Sequence, residues 1–261
     1  MTEPLLQTIG LGKRFGALTV TDDVSLDVMP GEMHALIGPN GAGKTTLLGQ
    51  LTGELRPDQG RILFRGEDIT ALPVDRRARL GLARSFQITS ILPRFSALEN
   101  VALAVQAREA HSFRFWKAAR TIAHLREPAR RKLQDVGLSG REDLIAADLS
   151  HGEHRQLELA MALATEPQML LLDEPMAGLG TEESHAMAEL LRRLKRTFTV
   201  LLVEHDMDIV FSLADRISVL VYGRVIASGT PDEIRVNPDV RTAYLGELDE
   251  DDLKVVADAA C

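Results

Sequence analysis

In the stretch Gly38-Pro39-Asn40-Gly41-Ala42-Gly43-Lys44-Thr45-Thr46 the first eight residues match the spacing G-x-x-x-x-G-K-[ST] without a departure. Glycines at these places let backbone N–H groups turn inward together, which makes a cradle for the β- and γ-phosphates of a nucleotide. A helix starting directly behind the loop adds its partial positive charge. Lys44 brings a full charge, and the Thr45 hydroxyl can ligate Mg2+. A second element follows far along the chain, where the apolar run Met169-Leu170-Leu171-Leu172 ends in two adjacent carboxylates, Asp173 and Glu174. Phosphoryl transfer to water needs a positioned metal and a polarised nucleophile. Asp173 can hold the metal shell, while Glu174, on the other side of the pleat, can orient and deprotonate water. Capping of the next helix is the plain structural alternative for this pair.

The flanking residues supply what such a loop requires. Met33 to Ile37 is predicted as a strand ending at Gly38, and Thr45 to Gly53 as a helix stopped by the turn Arg56-Pro57-Asp58. Leu5 to Ile9, Val20 to Val28 and Arg61 to Phe64 read as strands; the second alternates Val24, Leu26 and Val28 and is expected to be half-buried. From about Ala97 to Val136 the texture becomes helical, and it resumes from Glu153 to Ala164. Strands return at Met169 to Leu172, Thr199 to Val203 and Ile217 to Val221, with an amphipathic helix, Glu183 to Lys195, between the first two. Such alternation predicts a largely parallel sheet, with the helical middle inserted into it.

Composition narrows the setting. Apolar residues are 45% and charged residues 26% of 261, the balance of an ordinary globular chain. No apolar run approaches the roughly 20 residues needed to cross a bilayer, and Met1 to Gln7 lacks the pattern of a signal peptide. The one cysteine is Cys261, so no disulfide can form within the chain, which fits a reducing cytoplasm. The net charge of −8 argues against a nucleic-acid partner. The acidic stretch Glu247 to Asp252 and the basic pairs Arg76-Arg77 and Arg192-Arg193 are expected to be solvated.

Just upstream of the Asp-Glu strand stands Leu149-Ser150-His151-Gly152-Glu153. There, and over nearly its whole length, the chain resembles the ATP-binding subunits of ABC transporters, whose signature at this place is LSGGQ. The resemblance implies ATP and Mg2+ as ligands. It also implies a head-to-tail dimer, with a second copy or a related ATPase, in which Ser150 and Gly152 reach the γ-phosphate bound by the other subunit. From the residues alone, Ser150 is a good N-cap and Glu153 completes a capping box; one helix start can serve both purposes. By the same resemblance Gln87 occupies the Q-loop, sensing Mg2+ and water, and His205 is the switch histidine that contacts the γ-phosphate. A surface residue at a strand end is the bland reading of His205. Phe15 would stack on adenine, with packing into the core as the alternative.

The implied fold is α/β: a P-loop NTPase core with a mostly parallel sheet (1–88 and 166–246), an antiparallel β subdomain, an inserted α-helical subdomain (89–165) and an acidic tail (247–261). Three residues depart from the family pattern: His151 replaces the first signature glycine, Glu153 the glutamine, and Gly180 the usual D-loop aspartate.

Further segments look like the branched-chain amino acid importer subgroup and its urea and amide relatives. They are Ile37-Gly38-Pro39-Asn40-Gly41-Ala42-Gly43, Ala83-Arg84-Ser85-Phe86-Gln87, Val203-Glu204-His205-Asp206-Met207 and the C-terminal stretch from Ile234 to Glu247. The last tells most, because ATP chemistry does not require it; an ordinary C-terminal helix is its bland reading. The expected function is therefore an ATPase energising such an importer from the inner face of the membrane. Permease subunits would dock in a groove beside Gln87, along Ile88 to Phe95. Phe113, Phe115 and Trp116 are expected to fill a small satellite core. The alternatives are the motor of a lipid or lipopolysaccharide exporter, and a soluble ABC ATPase outside transport; a single cassette without heptads weighs against the latter.

Overall fold

Alternating burial in the first strands sets up the fold. Val24, Leu26 and Val28 are buried while Ser25 and Asp27 between them are exposed, as a strand with one face on a core requires. The structure, a computed structural model, describes residues 3–85, 91–108 and 123–245. Gln87, Ile88, Phe113, Phe115, Trp116, the tail 247–261 and Cys261 lie outside the described residues. The chain divides into two compact units, the described parts of Met1–Ala71 with His205–Cys261, and Leu72–Glu204.

In the first unit β1 (Leu6–Phe15) pairs antiparallel with β2 (Leu18–Val28) on one side and β4 (Gln59–Phe64) on the other, and β5 (Glu67–Asp68) extends the edge. β3 (Met33–Ile37) is buried at every residue and runs parallel to β9 (Arg216–Val221), which turns back as β10 (Arg224–Gly229). Helix α1 (Lys44–Thr52) follows β3 and ends at Gly53, whose left-handed backbone closes the last turn. In the second unit β6 (Leu82–Ser85), β7 (Met169–Asp173) and β8 (Thr199–Val203) are parallel, in the order β8-β7-β6. That unit also holds α2 (Val74–Arg79), α3 (Ala97–Arg108), α4 (Ala123–Asp135), α5 (His151–Ala164) and α6 (Thr181–Leu194), with α3, α4 and α5 packed on one another. Among the described residues no helix is long and apolar enough to cross a membrane.

One bland alternative and one expectation change. The C-terminal stretch is not one helix: α8 (Pro231–Val236) and α9 (Pro238–Leu245) are separated at Asn237, which stands before a proline and is extended at ψ 122°. The proline ring disfavours a helical conformation at the residue before it. Both short helices, which follow α7 (Met207–Leu213), still contribute to the core, through Ile234 and Val240 against Ile37, Val210 and Ile217. Nor is Arg76-Arg77 a solvated pair. Arg76 is exposed, but Arg77 is 2% exposed and its Nε donates to the Leu72 carbonyl at 2.9 Å.

Below β3 the first unit buries a polar chain. Glu32 accepts the Met29 N–H at 2.7 Å and Arg216 Nε at 2.7 Å, and its Oε1 lies 3.1 Å from His34 Nδ1. His34 Nε2 meets Ser218 Oγ at 2.8 Å, and Ser218 in turn donates to Ser228 Oγ at 2.9 Å. These are the residue types of a nucleophilic triad, yet His34 and Ser218 are fully buried, so the chain braces β3 against β9. Burial pushes the Glu32 carboxyl up, but the bonds from His34, Arg216 and Met29 outweigh it and bring it from 4.5 down to about 2. A lowered carboxylate stabilises the fold above its unfolded pKa and loses that contribution as pH falls through the folded one. Glu32→Gln should therefore cost about 2–3 kcal/mol at pH 7. Its gap to the parent in urea midpoint should close progressively as pH falls from 4.5 to about 2.

Candidate nucleotide site

Two glycines fix the shape of the phosphate loop because neighbouring backbone leaves no room for a side chain. A Cβ on Gly38 would lie 2.0 Å from the Leu220 carbonyl oxygen, and one on Gly43 would lie 2.5 Å from that of Val20. Gly43 is also left-handed, at φ +105°, immediately before α1. The Gly223 N–H donates to the Ala42 carbonyl at 2.9 Å, tying the loop to the β9–β10 turn. Pro39 is half-buried, Asn40, Gly41 and Thr45 are exposed, and Thr46 is half-buried. Lys44 opens α1 with its side chain folded back on the loop. The residue is 9% exposed, and its ammonium donates to the Gly38 carbonyl and, at 3.0 Å, to that of Pro39. A charged donor held on neutral acceptors gains from an anionic acceptor in their place. A cavity of about 730 Å³ opens beside the loop, lined by Pro39, Asn40, Gly41, Tyr222, Asp239 and Thr242, so α9 faces the loop.

The carboxylate pair belongs to the second unit. Asp173 ends β7 opposite Val203 of β8. Its Oδ2 accepts a hydrogen bond from Arg84 Nη2 at 2.8 Å, in an ion pair whose side chains are 8% and 10% exposed. Glu174 is left-handed at φ +48°, a conformation a non-glycine residue adopts only when its surroundings impose it. They do: the Glu174 N–H donates to the Val203 carbonyl at 2.9 Å, and the Met176 N–H donates to Oε1 of the fully buried Glu204, also at 2.9 Å. Neither carboxylate caps α6. That end is capped at Gly180, whose N–H donates to Glu183 Oε2 at 3.3 Å.

The capping box at the signature is present in full. Ser150 Oγ accepts the Glu153 N–H at 3.2 Å, and the Ser150 N–H donates to Glu153 Oε2 at 2.8 Å, which starts α5. Ser150 is exposed, and Gly152 abuts α6, where a Cβ would lie 2.7 Å from Glu183 Oε1. The ring of His151 reaches the D-loop, with Nε2 3.4 Å from the Ala177 carbonyl.

His205 is exposed between β8 and α7, next to Asp206, which caps α7 by accepting the Ile209 N–H at 3.1 Å. Phe15 is 48% exposed with Lys13 Nζ 5.6 Å from its ring centre, so it does not pack into the core. The loop, Phe15 and His205 thus fall in one unit, and Ser150, Gly152, Asp173 and Glu174 in the other. Sequence reading missed Arg84, Glu204 and Tyr222. Only Arg84 left a signal, a cation inside the short run that becomes β6.

The two kinds of glycine constraint separate experimentally. Gly41, at φ +77°, has nothing within 4 Å of a Cβ, so Gly41→Ala should cost only the roughly 1–2 kcal/mol of left-handed backbone. Gly38→Ala must displace a strand carbonyl as well. Its denaturation midpoint should fall further than that of Gly41→Ala.

Comparison with known proteins agrees with this geometry. The family model for ABC transporters matches residues 21–177, and that for branched-chain amino acid ATP-binding cassette transporters matches 224–250. The high-affinity branched-chain amino acid transport ATP-binding protein LivG of Escherichia coli K12 is 40% identical over 255 residues, covering 95% of this chain and all of that one. BraF of Pseudomonas aeruginosa, described in the same words, is 40% identical with the same coverage. The ADP conformation of MJ1267, an ATP-binding cassette of an ABC transporter, superposes with a TM-score of 0.83 at 32% identity, covering 94% of this chain and all of that one. The chain belongs to the ABC transporter family, as an ATP-binding cassette of its branched-chain amino acid group.

Proposed function

We propose that the chain is the ATP-hydrolysing subunit of a branched-chain amino acid importer, working as one half of a head-to-tail dimer on the cytoplasmic face of the membrane. Residues 1–88 and 166–246 form its ATPase core, and 89–165 its helical subdomain, with α3, α4 and α5 packed together. The observation that carries the hydrolytic reading is Glu174. Its carboxylate is mounted on a left-handed backbone that the Val203 carbonyl and the neighbouring Glu204–Met176 bond hold in place. The transport reading is supported by relatives that carry branched-chain amino acid transport in their names and are covered end to end.

The residues divide the work as follows. The N–H groups of the loop from Gly38 to Thr46, Pro39 excepted because it has none, and the Lys44 ammonium bind the β- and γ-phosphates, with Phe15 against adenine. Mg2+, held by Thr45, Asp173 and Gln87, oxygen donors of the hardness it prefers, would supply positive charge at the phosphates. Glu174 orients water and takes its proton, and His205 steadies the γ-phosphate. Ser150 and the α5 N-terminus close over the triphosphate bound by the other subunit. To swing such a clamp from mostly open to mostly closed, ATP must favour the closed form by about 5.5 kcal/mol.

The permease surface lies where residues 91–95 and 144–146 run side by side: the Ala146 N–H donates to the Phe95 carbonyl at 2.8 Å, and Ser96 bridges Ile145. Leu92, Phe95, Leu144 and Ile145 form an apolar group there that is 36–42% exposed. Such a group fits an amphipathic helix of a membrane subunit laid across it.

Two experiments test this. Glu174→Gln should keep ATP binding, accumulate a nucleotide-bound dimer on a sizing column and lose at least about 10²-fold in turnover; normal hydrolysis by that variant would remove Glu174 from its role. Phe95→Asp should leave MgATP binding by the isolated chain unchanged while abolishing co-purification with the permease subunits.

A further inference from the structure

The phosphate loop, signature and switch do not account for Arg84. It lies on β6, where Ser85 pairs with Leu172, so its side chain reaches across the strand ends to Asp173. A guanidinium and a carboxylate have both been withdrawn from water here, at 8% and 10% exposure, with 2.8 Å between Nη2 and Oδ2. Burying two charges costs several kcal/mol each and is repaid only by close, directional pairing. A pair of that kind adds little to stability over an apolar replacement, so its consequence lies in what it does for Asp173. The planar guanidinium, always charged, addresses one carboxylate oxygen and thereby selects one rotamer. Without it, Asp173 would be a buried carboxylate lacking this counter-charge, and rotation toward solvent would relieve the cost.

We propose that Arg84 is a positioning residue for the divalent metal that accompanies the nucleotide: it holds the Asp173 carboxylate in the one orientation from which it can join the metal's shell. This rests on the reading of Asp173 as a metal-shell residue. In this role Arg84 acts through Asp173, so its loss is felt through the metal and not through the triphosphate alone. Supporting partners of metal ligands typically govern about 10- to 100-fold of metal affinity.

The test is equilibrium binding of a non-hydrolysable ATP analogue to the full chain, titrated with Mg2+ and repeated in EDTA. Arg84→Gln should raise the Mg2+ midpoint by about tenfold or more and leave the affinity in EDTA unchanged. Arg84→Lys, which keeps the charge without the planar fork, should fall between the two. Mn2+ binding followed by electron paramagnetic resonance should rank the three proteins in the same order. An unchanged or tighter Mg2+ midpoint in folded Arg84→Gln would overturn the assignment, as would equal losses with and without metal. If Arg84→Gln does not fold, Arg84→Lys decides: a midpoint equal to that of the parent rejects the proposal. Asp173→Asn in parallel separates the two layers. Should it leave the midpoint unmoved, the metal-shell reading of Asp173 falls and takes the proposal with it; should it shift the midpoint while Arg84→Gln does not, only the role of Arg84 is lost.

Discussion

Everything chemical in this protein depends on gathering backbone N–H groups and one ammonium around a small volume meant for negative charge. Such a gathering is electrostatically costly on its own, because the donors repel one another and lose water. The structure meets the cost with neutral acceptors: the Lys44 ammonium rests on the carbonyls of Gly38 and Pro39. The loop is thereby kept in shape by its own contacts, these two and the Ala42 N–H to the Pro39 carbonyl at 3.1 Å, together with steric limits from its neighbours. A phosphate group that enters exchanges weak acceptors for strong ones without asking the backbone to rearrange, which is preorganisation in a literal sense.

The other half of the chemistry is arranged by buried charge. Asp173 and Glu174 are adjacent in sequence but are held by different means. Arg84 addresses the first through its side chain, and the Val203 carbonyl fixes the second through its backbone. Glu204, fully buried, takes the Met176 N–H and so pins the segment that leads from the acid pair to the D-loop. In the first unit the Glu32–His34–Ser218 chain does comparable work between β3 and β9. Each is a place where hydrophobic packing alone would leave two strands free to shift by a fraction of an ångström, and a polar contact removes that freedom.

What could be read from the sequence follows from the range of the forces involved. The strand before Gly38, the helix after it and the capping box at Ser150 are local, and their chemistry is spelled out within a few residues. Phe15 needed three dimensions to decide between stacking and packing; its exposure excludes the core. Arg77 turns inward unannounced, because a basic pair on a helix of six residues carries no sign of which member is buried. The break at Asn237 was legible in principle, since Pro238 follows it, but the subgroup resemblance of the whole stretch obscured it. Arg84 and Glu204 could not be assigned from spacing, because their partners, Asp173 and Met176, are brought to them by sheet pairing and a turn.

The contact between Gly38 and Leu220 also has a temporal side. The wall that limits the first loop glycine belongs to β9, which leaves the ribosome only after most of the chain has been made, whereas the wall beside Gly43, at Val20, is already there. A nascent chain that has emerged as far as β8 has every residue of the phosphate motif but not the carbonyl that bars a side chain from position 38. The steric demand for glycine at position 38 is therefore imposed late in synthesis, once β9 docks beside β3, while that at position 43 comes from a strand made before the loop itself.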